Sequence, residues 1–233
     1  MVDPQQIRQH LIDSRDKDPE RFAQSPLPYP QEFDAHIDRF AVAAHLAFNG
    51  DVETARELIS SIDGESLMDW YDTIAQHVAD IRYTLITGNP PRRLSGKGKH
   101  QTQSPARVAA IAKRDKYRCG YCGMRLVEPQ ILKRIQVKVG RDVFPSKSNK
   151  KESSNRDYHG IWVTTAITLD HVVPYAVSSD DTIENLISSC WSCNFGKYDY
   201  TCEELELSPP AIRVPSNESW SGLRDVVEWT PLL

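Results

Sequence analysis

Two Cys-x-x-Cys pairs, Cys119/Cys122 and Cys190/Cys193, constrain this chain more than any other feature. Two thiols at that spacing form one knuckle, and two knuckles far apart in sequence can supply four soft ligands to one tetrahedral zinc. Such a site ties two distant stretches together in space. Four thiolates also close the coordination shell, so the ion would be structural, with no open position for water. Free buried thiols or two disulfides are the alternatives. Cys202 is left over and reads as an ordinary thiol of core or surface.

Between the knuckles the β-branched run from Ile161 to Leu169 reads as a strand ending at Asp170-His171. That pair sets a hard metal ligand beside a candidate general base. Asn185 and Asn194 add neutral amide oxygens, suited to a divalent cation or to holding a neighbouring side chain. Singly, each has a plainer reading. Asp170-His171 could cap the following turn, Asn185 could be a turn residue, and Lys197 could be a solvated helix lysine.

The ordered series Cys119-x-x-Cys122, Asp170-His171-x-x-Pro174, Asn185-Leu186, Cys190-x-x-Cys193-Asn194 and Lys197 resembles the zinc-stabilised branch of the HNH endonucleases. The lead-in from Arg114-Asp115 to Tyr121-Cys122-Gly123 is similar as well, so the resemblance covers about residues 104–200. It departs from the family in a long segment between the first knuckle and Asp170. Asn194 also stands where many members carry a third histidine. The resemblance implies a ββα-metal (His-Me finger) nuclease fold with a structural zinc on Cys119, Cys122, Cys190 and Cys193. It implies Asp170 and Asn194 as ligands of a catalytic Mg²⁺ or Mn²⁺ and His171 as general base on water. Asn185 would fix the loop and orient His171. The implied activity is hydrolysis of DNA phosphodiester bonds, which bacterial proteins of this build often perform in restriction or anti-phage defence. A zinc-knuckle nucleic-acid-binding module without chemistry competes with this reading, as does a protein-interaction subunit. Binding alone needs none of Asp170, His171 and Asn194.

Charge is distributed in blocks. Residues 1–91 carry 7 basic and 16 acidic side chains, residues 92–162 carry 18 and 5, and residues 163–233 carry 3 and 11. A strongly basic centre between acidic flanks is the footprint of a local nucleic-acid contact, a solvated lysine-rich loop being the alternative. The candidate phosphate contacts are Arg107, Lys113, Arg114 and Lys116 on one helix, Lys147, Lys150 and Lys151 on a loop, and Lys197.

The expected fold class is α+β, a small α-helical module followed by the HNH nuclease domain. Residues 1–91 form the acidic helical module, within which 1–30 read as an irregular arm. Phe33, Ile37, Phe40, Ala44 and Phe48 mark one helix, Asp51 caps the next, and a third spans about Ser66 to Thr87. His36, His45 and His77 read as helix-face residues. Being acidic, the module is expected to hold a protein partner or a second copy rather than DNA. Residues 92–103 read as a basic linker, 104–206 as the nuclease domain opened by Ser104-Pro105, and 207–233 as a tail packing back through Trp220 and Trp229. Within 124–160, Leu132, Ile135, Val137 and Val139 allow a strand or a short helix before a polar loop. No run of eighteen apolar residues and no signal-like start is present, and thiols kept for zinc suit a reducing compartment, so the expected location is cytoplasmic.

Overall fold

The computed structural model describes residues 3–28, 30, 32–75, 78–91, 104–146, 154–211 and 219–228. The expected linker, Lys147, Lys150, Lys151, His77 and Trp229 lie outside the described residues. The first thirty residues are not an irregular arm. Helices α1 (Pro4–Lys17) and α2 (Pro19–Gln24) occupy them, and each opens on an Asp-Pro step. Asp3 accepts from the Gln5 N–H at 3.0 Å and Asp18 from the Arg21 N–H at 3.0 Å, and proline takes the first helical position, where no N–H is needed. The apolar signal is sparse, because within α1 and α2 only Ile7, Leu11 and Phe22 are buried. Helices this polar show little periodicity.

Helix α3 (Phe33–Phe48) buries the face that its spacing marks, and α4 (Val52–Ser60) starts at Asp51, which accepts from the Thr54 N–H at 3.2 Å. The single helix expected from Ser66 to Thr87 is divided into α5 (Gly64–Ala75) and α6 (Val78–Thr87). Ser104 caps α7 (Pro105–Arg114) as its sequence indicates. The ambiguous stretch beyond the first knuckle becomes helix α8 (Pro129–Val139). Pro129 starts it, Gly140 ends it at φ +93°, and Ile131, Leu132, Ile135 and Val139 form one buried stripe.

The run read as one strand is split. Gly160–Thr165 is helix α9 and only Ile167–His171 is strand β1. The His159 Nδ1 caps α9 by accepting from the Ile161 N–H at 3.2 Å, and the Thr164 and Thr165 hydroxyls bond back to the Gly160 and Ile161 carbonyls. All six residues of α9 are buried, so packing overrides the β preference of their side chains. A Cβ on Gly160 would stand 2.3 Å from the Gly64 carbonyl oxygen, and α9 lies against α5 because glycine allows that approach. After β1 come α10 (Tyr175–Ser178), β2 (Leu186–Cys190), α11 (Trp191–Lys197), a 3-10 turn (Glu203–Leu205) and α12 (Arg224–Glu228). The two strands are antiparallel, with Ile167 opposite Cys190 at one end and His171 opposite Leu186 at the other. Strand, strand and α11 make the ββα unit.

The helical region and the ββα unit share one apolar core, running from Ile7 and Leu11 through Phe40, Leu67 and Ile161 to Leu186 and Val227. Arg82 pins its N-terminal edge. Fully buried, it donates to the backbone carbonyls of Phe22, Ser25, Pro26, Leu205 and Glu206 and lies 3.7 Å over the Phe22 ring. Burial pulls its pKa down to about 9, against the opposing charge of Glu206. In the tail, the Trp220 indole N–H donates to the Leu126 carbonyl at 2.8 Å.

Candidate active site and metal centre

The first knuckle is a tight turn. The Cys119 N–H donates to the Met124 carbonyl at 2.9 Å, the Gly123 N–H donates to the Cys119 carbonyl at 2.9 Å, and Gly123 takes φ +77°. The second lies at the end of β2, where Cys190 is the N-cap of α11 and its sulfur accepts from the Cys193 N–H at 3.3 Å. Gly120 lets the two meet: a Cβ there would stand 2.4 Å from Ile187 Cδ1. The four sulfurs lie within 4.8 Å of one another, with Cys122 and Cys190 3.9 Å apart. Zinc–sulfur bonds of about 2.3 Å set the sulfurs of a tetrahedron about 3.8 Å apart, so the cluster has the dimensions of a zinc site. All four thiols are free, which excludes the disulfide alternative. Burial and the neighbouring sulfurs push Cys190 and Cys193 well up; burial opposes ionisation of Cys119 too, but hydrogen bonds from the other three hold it low. Four soft donors this close together in a buried site could hold one metal ion. Among the described residues this is the one group of three or more cysteine, histidine or carboxylate side chains placed to hold a metal.

The other end of the hairpin carries Asp170 and His171. Asp170 is buried, and its Oδ2 accepts twice, from the Tyr121 hydroxyl at 2.5 Å and from Lys197 Nζ at 3.1 Å. Burial raises the Asp170 carboxyl above its usual range, with Lys197 and Tyr121 offsetting part of the rise. Burial, followed by the Asp170 charge, holds the Tyr121 hydroxyl well above its ordinary value, so it stays a donor. Lys197 is fully buried, and its ammonium also reaches the His171 carbonyl at 3.0 Å. It is therefore neither a solvated helix lysine nor a phosphate contact, because no part of it reaches water.

The His171 ring is held at Nε2 by Asp181 Oδ1 at 2.9 Å and lies against the Tyr175 ring, centroids 5.6 Å apart. Asn185 spans the intervening loop. Its Oδ1 accepts from the Val173 N–H, and its Nδ2 donates to the Val173 and Asp180 carbonyls, each at 2.9 Å. The Asn194 Nδ2, on α11, donates to the Thr168 hydroxyl at 3.1 Å.

Residues 154–199 match the family model described as HNH endonuclease. The chain carries an HNH domain. No curated protein and no solved structure matches the chain. The match begins after the first knuckle, and the tertiary structure brings Cys119 and Cys122 onto the HNH segment.

Two arginines expected to face phosphates turn toward the HNH loop instead. Arg107 pairs with the Asp181 carboxylate at 3.1 Å and bonds its backbone carbonyl. Arg114 donates to the Ile183 and Leu186 carbonyls at 2.9 and 2.6 Å and pairs with Asp115, which accepts from the Ser188 N–H at 2.7 Å. Both hold α7 against the loop and β2, Arg107 half-buried and Arg114 still exposed. Lys113 and Lys116 are exposed. Sequence reasoning assigned no role to Tyr121 or Asp181. Tyr121 carries a faint signal, a phenol between two zinc-type cysteines. Asp181 stands ten residues beyond His171 in an acidic turn, a separation with no periodicity to mark it.

Proposed function

We propose that this protein is a metal-dependent endonuclease that hydrolyses DNA phosphodiester bonds. The observation that carries the proposal is the arrangement of donors around Asp170. Tyr121 and Lys197 both occupy Oδ2, and no donor among the described residues is bonded to Oδ1. The Asn194 amide spends its N–H on Thr168, which leaves its oxygen as an acceptor. A carboxylate oxygen and an amide oxygen fit a hard divalent cation such as Mg²⁺ or Mn²⁺. Asp170 and Asn194 would hold that ion, which when bound supplies charge neutralisation at the leaving oxygen.

His171 takes a proton from the attacking water as the new P–O bond forms and the bond to the leaving oxygen breaks; that oxygen is then protonated from solvent. Asn185 keeps the loop closed on itself, so that His171 and Asp181 stay in register. Lys197 acts inside the protein, neutralising part of the Asp170 charge and tethering the His171 backbone. Cys119, Cys122, Cys190 and Cys193 hold a structural zinc. Lys113 and Lys116, with Lys147, Lys150 and Lys151, provide the phosphate contacts, and neutralising Lys113 and Lys116 should lower the log–log salt slope of DNA binding by about 0.9 each.

Supercoiled plasmid incubated with the protein and Mg²⁺ or Mn²⁺ should be nicked or linearised. The His171→Ala variant should fold, keep its zinc and bind DNA, with cleavage about a hundredfold to ten-thousandfold slower. Cleavage at the wild-type rate by folded His171→Ala would remove the mechanism. The resemblance adds a setting, restriction or anti-phage defence, tested by whether cells expressing the protein, but not its Asp170→Ala variant, resist phage.

A further inference from the structure

We propose that Asp181 is the positioning residue for His171, fixing both the direction of the imidazole and the nitrogen on which its proton resides. The role rests on the nuclease reading above; the geometry that supports it does not. The His171 backbone is fixed by its pairing with Leu186 across the hairpin and by Lys197 on its carbonyl. Neither contact determines where the ring points. The ring is held by Tyr175 on one side and by the Asp181 carboxylate on Nε2 at 2.9 Å.

Asp181 is itself fixed from outside its loop. Its second oxygen accepts from Arg107 Nη1 at 3.1 Å, and its backbone carbonyl accepts from the same guanidinium. Arg107 stands in the first turn of α7, whose start is set by the Ser104 cap. The side chains of His171, Asp181 and Arg107 are only 13, 14 and 18 % exposed, so water competes weakly for these bonds. Burial raises the Asp181 carboxyl, but the hydrogen bonds from His171 and Arg107 outweigh it and hold the group below the usual carboxylate range. An ionised carboxylate can only accept. Nε2 must therefore carry hydrogen, and in the neutral ring the basic lone pair then lies on Nδ1. The arrangement makes Nδ1 the atom that receives the proton of water.

The test is nitrogen-15 NMR of the full-length, zinc-loaded protein labelled at histidine, with the His171 signals identified by their loss in His171→Gln. The expected result is a His171 ring whose Nε2 carries hydrogen and is bonded to Asp181. In Asp181→Asn, whose amide can donate as well as accept, the ring should shift toward the Nδ1–H form. Plasmid cleavage by that variant should fall about a hundredfold or more in kcat with KM little changed and zinc content intact. Asp181→Glu, which keeps an acceptor-only partner, should recover part of the rate and the wild-type tautomer. A wild-type ring protonated at Nδ1, or an Asp181→Asn variant with wild-type tautomer and kcat, would overturn the proposal. Should the protein cut no DNA, the tautomer measurements still decide the positioning claim, and only the nuclease reading falls. Should Asp181→Asn lose its zinc or unfold, Arg107→Gln provides the second route, with a partial shift of tautomer expected and an unchanged one counting against the proposal.

Discussion

The two ends of one short hairpin are built on opposite plans. At the Cys190 end four identical side chains converge, buried and bonded chiefly to each other, with the dimensions of a site for one metal ion. At the His171 end each functional side chain is different and each is held by another residue of the protein. Asp170 is held by Tyr121 and Lys197, His171 by Asp181, and Asn194 by Thr168. A closed, uniform donor set suits permanent structure. A set of unlike side chains, each held by a different neighbour, suits a task in which each has its own part. Tyr121 joins the plans: it sits between two zinc-type cysteines and its hydroxyl holds the carboxylate at the other end.

The harshest way to break this contrast is to remove a cysteine. Cys193→Ser should release one zinc per chain and melt the hairpin, because structural zinc binding of about 10–16 kcal/mol is also folding free energy. Elemental analysis with calorimetry is the check, and a wild type purified without zinc that melts cooperatively would undo the contrast. Next in size, Lys197→Met leaves the buried Asp170 carboxylate without its cation and should cost about 3–5 kcal/mol in urea unfolding. Adding Asp170→Asn should restore much of that loss. If the double variant is no better than the single one, Lys197 contributes packing rather than charge. Tyr121→Phe should be milder, about 1.5–3 kcal/mol for a hydrogen bond to a charged group, with zinc retained. Zinc loss in that variant would show the two ends to be one site.

The last test lies outside both ends and serves as their control. His159 caps α9, and burial, with a smaller contribution from His36, lowers its pKa from 6.5 to about 4 against a backbone hydrogen bond at Ile59. The unfolded chain binds that proton more tightly than the folded one. Stability from the neutral ring is therefore complete above pH 6.5 and is lost as pH falls toward about 4. Relative to His159→Asn, which keeps a capping acceptor but cannot titrate, the wild type should lose stability across that window. Parallel curves for the two proteins would rule this out.

Much of the site was legible because its chemistry is carried by residue types at short fixed spacings. The cysteine pairs, Asp170-His171 and the Ser104-Pro105 start need only local geometry, as do the Asp51 cap and the α3 stripe. The failures share a cause. The helices of the first thirty residues show little apolar periodicity, and α9 is a β-branched run held helical by its burial and its packing on Gly64. Lys197 illustrates the same limit: as a sequence letter it is a cation near a phosphate site, and only its depth makes it the counter-ion of Asp170.

By itself the sequence determined that two Cys-x-x-Cys knuckles with the donors for one zinc flank an Asp-His pair, while the ββα arrangement was what the family resemblance implied. The knuckles and the pair are legible because covalent spacing and ligand chemistry do not depend on how the rest of the chain packs. Which of Arg107, Arg114 and Lys197 would face solvent, and which acidic residue would hold His171, only the tertiary structure decided. Asp181 and Arg107, 74 positions apart in sequence, are brought together by the packing of α7 on the hairpin, and a contact made by packing has no local pattern.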